Sequence, residues 1–84
     1  MPSAILEYYK KGIEKRKRLL VKFSLKIEKI EELLRMNNFF TNEEEYMLIK
    51  KMDRIKLEMN EIKAEIKNIK RLIQEIDSSN TLNY

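Results

Sequence analysis

The chain has 84 residues, with 18 Lys/Arg against 14 Asp/Glu for a net charge of +4, one Gly, one Pro, no Cys and no His. That length makes one small domain, and so few Gly and Pro exclude an all-β fold with its closely spaced turns. Without Cys or His, disulfides, thiol nucleophiles, the usual zinc sites and imidazole acid–base chemistry are removed together.

Residues 1–7 lack the charged start and long apolar run of a signal peptide. The most apolar stretch, residues 19–25, falls far short of the ~20 residues a spanning helix requires, and Lys22 interrupts it. The expectation is a cytoplasmic protein without membrane contact. A first helix is expected over residues 3–36, with Ser3 as its N-cap. Its heptad reads a = Leu6, Ile13, Leu20, Ile27, Leu34 and d = Tyr9, Arg16, Phe23, Ile30. Arg16 alone breaks the apolar rule. Either its stem lies on Ile66 while its guanidinium reaches Glu14 or solvent, or it fixes dimer register, or it meets a carboxylate from a partner. Gly12 costs ~1 kcal/mol in a helix interior; it either admits close helix approach or lets the residues before it swing as an arm.

Residues 37–42 read as the turn. Asn37 and Asn38 suit a helix end, and Thr41 followed by Glu44 fits a capping box, with Glu43, Glu44 and Glu45 on the positive end of the next helix dipole. The second helix is expected over residues 42–77. Its a positions are Met52, Met59, Ile66 and Ile73, and its d positions are Leu48, Ile55, Ile62, Ile69 and Ile76. All are apolar. Residues 78–84 have no periodicity and read as a disordered tail.

In an antiparallel hairpin, a residues of one helix layer with d residues of the other, so paired numbers share one sum. Leu34 with Leu48, Ile27 with Ile55, Leu20 with Ile62 and Ile13 with Ile69 all sum to 82, as do Ile30 with Met52 and Phe23 with Met59. The midpoint is Thr41, in the independently read turn. The fold expected is all-α: one antiparallel two-helix coiled-coil hairpin. A core one seam wide rarely offsets an ordering entropy of ~1.5 kcal/mol per residue. The apolar stripe is also widened at Ile5, Leu19, Leu33 and Leu72, with Ile49 and Tyr46 extending it near the turn. That edge suits a homodimer packed as a four-helix bundle. Glu58 with Lys63 and Glu65 with Lys70 have the spacing of a parallel dimer, which Asn37, Asn38 and Thr41 oppose by interrupting the helix.

Two regions are candidate interaction sites. At the turn, Phe39, Phe40 and Tyr46 either make a hot spot for a larger protein partner or, for the two phenylalanines, plug the open end of the bundle. Met36, Met47, Met52 and Met59 cluster towards the same half as adaptable contacts or core filler. At the other end, residues 10–18 carry six basic side chains against one acidic, and Tyr8 and Tyr9 stand beside them. Residues 1–40 hold ten basic and five acidic residues, +5, while residues 41–84 hold eight and nine, −1. Lys10, Lys11, Lys15, Lys17, Arg18, Lys67 and Arg71 are therefore the candidate nucleic-acid surface, set against the plain alternative of a solvated face.

No catalytic residues, metal ligands, cofactor or small-molecule substrate are expected, because nothing places a desolvated ionisable pair in a pocket. Such a hairpin resembles in architecture the Rop family of plasmid copy-number regulators, helical hairpins that dimerise into bundles and bind RNA. That resemblance implies nucleic-acid binding through the basic end. Residues 49–53 are similar to the Ser-Gln-Glu-Leu-Asp motif of the sporulation aspartyl-phosphate phosphatases only at Asp53, so no catalytic role is carried over. The leading expectation is a small non-enzymatic protein that binds and modulates or inhibits a larger macromolecule, of the kind phages and mobile elements encode. The alternatives are nucleic-acid binding and a coiled-coil subunit of a larger assembly.

Overall fold

The computed structural model describes residues 4–36 and 40–82, with side chains up to Ser78. It consists of two α-helices, α1 (Ala4–Arg35) and α2 (Asn42–Leu82), folded back on each other as a hairpin. Among the described residues there is no strand. The rod measures 67 × 16 × 14 Å, close to the ~62 Å that α2 alone spans at ~1.5 Å per residue. Its radius of gyration is 19.2 Å, where a compact globule of this length has ~12 Å.

The start of α2 is built as the residue types dictate. Glu44 N–H donates to Thr41 Oγ1 at 3.1 Å, and Thr41 N–H donates to Glu44 Oε1 at 3.1 Å. Two otherwise orphaned donors are satisfied reciprocally. The Glu45 N–H to Thr41 carbonyl bond at 3.0 Å then opens the helical ladder. Glu43, Glu44 and Glu45 sit in the first turn, where the helix dipole favours negative charge. Ser3, Asn37 and Asn38 lie outside the described residues.

Burial follows the heptad without a miss. Every a and d residue from Leu6 to Ile76 is buried or half-buried. Beyond them only Gly12, Phe40 and Glu45 escape full exposure among the residues with described side chains. Glu45 is itself the next a position of α2. The reason is geometric: two antiparallel helices bury one stripe each, and period 3.5 keeps a and d on it. The layers with numbers near 82 are in place, since a methyl built on Gly12 would lie 3.9 Å from Ile69 Cδ1.

The same geometry makes the core thin. Among the described residues only Ile30, Ile55, Ile62 and Ile66 fall to 6–8% exposure, and no side chain is fully enclosed. The chain presents 7321 Å² to solvent, against ~5300 Å² for a compact monomer of its mass.

Two expected boundaries move. α1 ends at Arg35, one residue early, and the Met36 N–H to Glu32 carbonyl bond at 3.0 Å closes it. α2 does not stop at Asp77 but runs to Leu82, so most of the expected tail is helical. Ser, Asn and Thr are only mildly unfavourable in helices, and no Gly or Pro stands there to end the ladder. Through Gly12, α1 is unbroken.

Candidate functional site

Each helix has two flanks beside its buried stripe, at the e and g positions. When chain direction reverses, g residues of one helix lie beside g residues of the other, and e beside e. Arg16 shows which side is which. Its Nε donates to Glu65 Oε2 at 2.8 Å, and its Nη1 donates to the Gly12 carbonyl at 3.2 Å. Gly12 and Glu65 are both g residues. A groove of about 520 Å³ further along is lined by Lys26 and Leu33 of α1 with Lys51 and Glu58 of α2, again all g positions. The e positions occupy the opposite flank.

The carboxylate that Arg16 meets is therefore Glu65 on the facing helix and not Glu14, which projects from the far side of α1 at a b position. At 34% and 53% side-chain exposure, this ion pair is worth ~0–1 kcal/mol. It satisfies the guanidinium at the edge of the Ile66 layer without burying a charge.

Ile5, Leu19, Leu33 and Leu72 all occupy g positions and are exposed, so they share the flank that Arg16 turns towards. Ile49 is an e residue and lies on the other flank, so it does not extend this edge. Tyr46, a b residue at the turn end, shares a groove with Leu33 and Leu48.

At that end, Phe40 is half-buried and lines a groove of about 790 Å³ together with Leu33, Leu48, Tyr46 and Met47. Lys50, Lys51 and Arg54 rim it. Tyr46 is 58% exposed, and Lys50 Nζ stands 5.1 Å from its ring centroid. Met47, 68% exposed, belongs to the same groove; its c position was readable from the heptad, whereas Met52 and Met59 are in the seam. Phe39 lies outside the described residues.

The candidate basic residues do not form one patch. Lys11 and Lys15 line a depression of about 600 Å³ with Tyr8, Tyr9 and Arg16. Tyr8 and Tyr9 pack edge to face, with ring centroids 5.8 Å apart. Lys10 and Lys17 are e residues on the other flank, with Lys67 behind them at a b position. Arg18 and Arg71 are f residues on the outer backs of the helices. The tyrosines therefore stand apart from the lysines at 10 and 17, because neighbouring helical residues point ~100° apart.

Among the described residues no group of three or more Asp and Glu side chains could hold a metal ion, and no helix is long and apolar enough to cross a membrane. Compared with known proteins, the chain matches no family model, no curated protein and no solved structure.

Proposed function

We propose that this is a non-enzymatic interaction protein: a hairpin that pairs with a second copy through its g flank and docks its turn end on a larger protein, whose action it modulates. The observation that carries the pairing is the surplus of ~2000 Å² of surface over a compact monomer, with Ile5, Leu19, Leu33 and Leu72 exposed on one flank. A stable homodimer buries an area of that order. Charge supports the same face. Along it α1 carries Lys15, Lys22 and Lys26, while α2 carries Glu58, Glu61 and Glu65 at matching levels. Two hairpins set face to face, each α1 over the partner's α2, place opposite charges together and make a four-helix bundle. Lys29 then lies level with Arg54, the one like-charged level.

The turn end has the makings of a protein contact. It offers an aromatic ring and a thioether, both more than half exposed, beside a half-buried Phe40 and a basic rim. Aromatic and Met anchors surrounded by charge are how interface hot spots are composed, and the rim suits an acidic partner segment. Sedimentation equilibrium tests the first half: twice the 10.2 kDa chain mass is expected, falling to one chain mass with Leu19→Glu and Leu33→Glu. A wild-type chain that stays monomeric sinks it. For the second half, a partner crosslinked in source cells should be lost with Tyr46→Ala and Met47→Ala; retention at full yield refutes turn-end docking.

A further inference from the structure

We infer that the flank opposite Arg16, bearing Lys10, Lys17, Lys56, Lys63, Lys67 and Lys70, is a binding surface for the phosphate backbone of a nucleic-acid duplex. It is independent of the turn-end contact proposed above and uses different residues.

The register creates the surface. Lys10, Lys17, Lys56, Lys63 and Lys70 are all e residues, and e residues meet across the seam where their numbers sum to 80. Lys10 therefore stands opposite Lys70, and Lys17 opposite Lys63. Like charges facing each other destabilise a helix pair, so this placement does nothing for the hairpin itself. On the g flank of the same half the pattern is different: Lys15 and Lys22 stand against Glu58, Glu61, Glu65 and Glu75, and Arg16 turns to that side to meet Glu65. Against the six lysines of the e flank, the e and b positions of that half offer Glu7, Glu14 and Asp77. With Lys26, level with Glu58, counted in, the g flank balances four basic against four acidic side chains, while the e flank carries six against three. A net charge of +4 hides the separation.

Composition and spacing select the occupant. The remaining e and b positions of this half are Val21, Ser24, Asn60 and Gln74, so the surface has no aromatic and no Leu or Met anchor. A protein partner would need such a desolvated core. A single strand held without sequence preference would need stacking rings, and the tyrosines are elsewhere. Lysines are point charges that neutralise phosphates without the bidentate geometry that reads bases. Those on α2 recur every seven residues, ~10.5 Å apart, and run ~21 Å along the rod, a length over which a duplex presents about a dozen phosphates. Sequence-independent, backbone-only contact is what this array can make.

The test is fluorescence anisotropy of ~20-base-pair random-sequence DNA and RNA duplexes with the full chain at ~50 and ~200 mM salt. Binding that weakens at least ~10-fold between those salts is expected. Lys17→Gln with Lys63→Gln, and separately Lys56→Gln with Lys70→Gln, should each weaken it ~10-fold or more and flatten the log–log salt slope by about 2. Arg18→Gln with Arg71→Gln removes the same charge from the outer backs of the helices and should cost less than ~3-fold. Both e-flank variants should also melt a few degrees higher at low salt, as facing lysines are relieved, which separates lost binding from lost folding. DNA against RNA tells which duplex is preferred, and either supports the inference. It is overturned if neither duplex binds, if the control pair loses as much as the e-flank pairs, if the matching single strand binds more tightly, or if poly-glutamate of equal charge displaces the duplex.

Discussion

Arg16 is the residue at which pattern and packing disagree, and replacing it measures what the hairpin gains from each. Arg16→Leu leaves helix propensity almost unchanged, since Leu and Arg rank together. It removes an ion pair whose members are 34% and 53% exposed, worth ~0–1 kcal/mol. Glu65 loses its partner but remains in water, so no buried charge is stranded. In return a Leu enters a d position against Ile66, which is 8% exposed. Full burial of a Leu contributes ~1.5–3 kcal/mol; at a site on the edge of a one-seam core roughly half of that is available. The balance is a gain of ~0.5–1 kcal/mol. For a chain of this size it raises the melting temperature by ~3–6 °C. Thermal unfolding by circular dichroism at fixed protein concentration reads the effect, and a double-mutant cycle with Glu65→Gln should give a coupling below ~1 kcal/mol. A drop in melting temperature would refute the reasoning, because the guanidinium would then hold the layer together more strongly than a side chain exposed to this degree allows.

The remaining expectations concern the seam, the cap and the single glycine. Ile62→Ala should cost ~2–5 kcal/mol and remove most of the helical signal at 222 nm, while Leu57→Ala, at a residue 61% exposed, should stay within ~0.5 kcal/mol; equal losses would deny that stability resides in the seam. Thr41→Ala breaks one arm of the reciprocal cap and should cost ~1 kcal/mol in chemical denaturation, whereas Glu44→Gln, which retains an acceptor, should cost less. Gly12→Ala places a methyl 3.2 Å from Arg16 Nη1, a mobile tip, and 3.9 Å from Ile69 Cδ1. With the guanidinium shifted by a few tenths of an ångström, helix propensity dominates and stability should rise by ~0.5–1 kcal/mol. Destabilisation there would mean that close approach to α2, and not chance, keeps the glycine.

How these elements were legible differs from one to the next. The capping box at Thr41 and Glu44 was readable because it is local: three residues of separation decide it, and the structure contains both of its bonds. The end of α2 was not, because Ser78 and its neighbours carry no breaker and helix termination without one depends on small differences between water and ladder. Arg16's partner could not be chosen from the heptad alone. Glu14 and Glu65 are both carboxylates within the reach of a long side chain, and only the paired helices show that Glu65 shares its side. The tyrosines share a depression with Lys11 and Lys15 but stand apart from Lys10 and Lys17 for a similar reason, since adjacency along a helix is not adjacency in space.

The residues by themselves determined the two helices, the place of the turn and the identity of the buried stripe, because period 3.5 and a zero-offset register fold onto Thr41 without outside help. The tertiary structure alone decided the flanks. Which of two equivalent edges Arg16 turns to, and that Glu65 rather than Glu14 meets it, depends on how side chains of α1 and α2 meet across the seam, and that pairing exists only once the helices lie together.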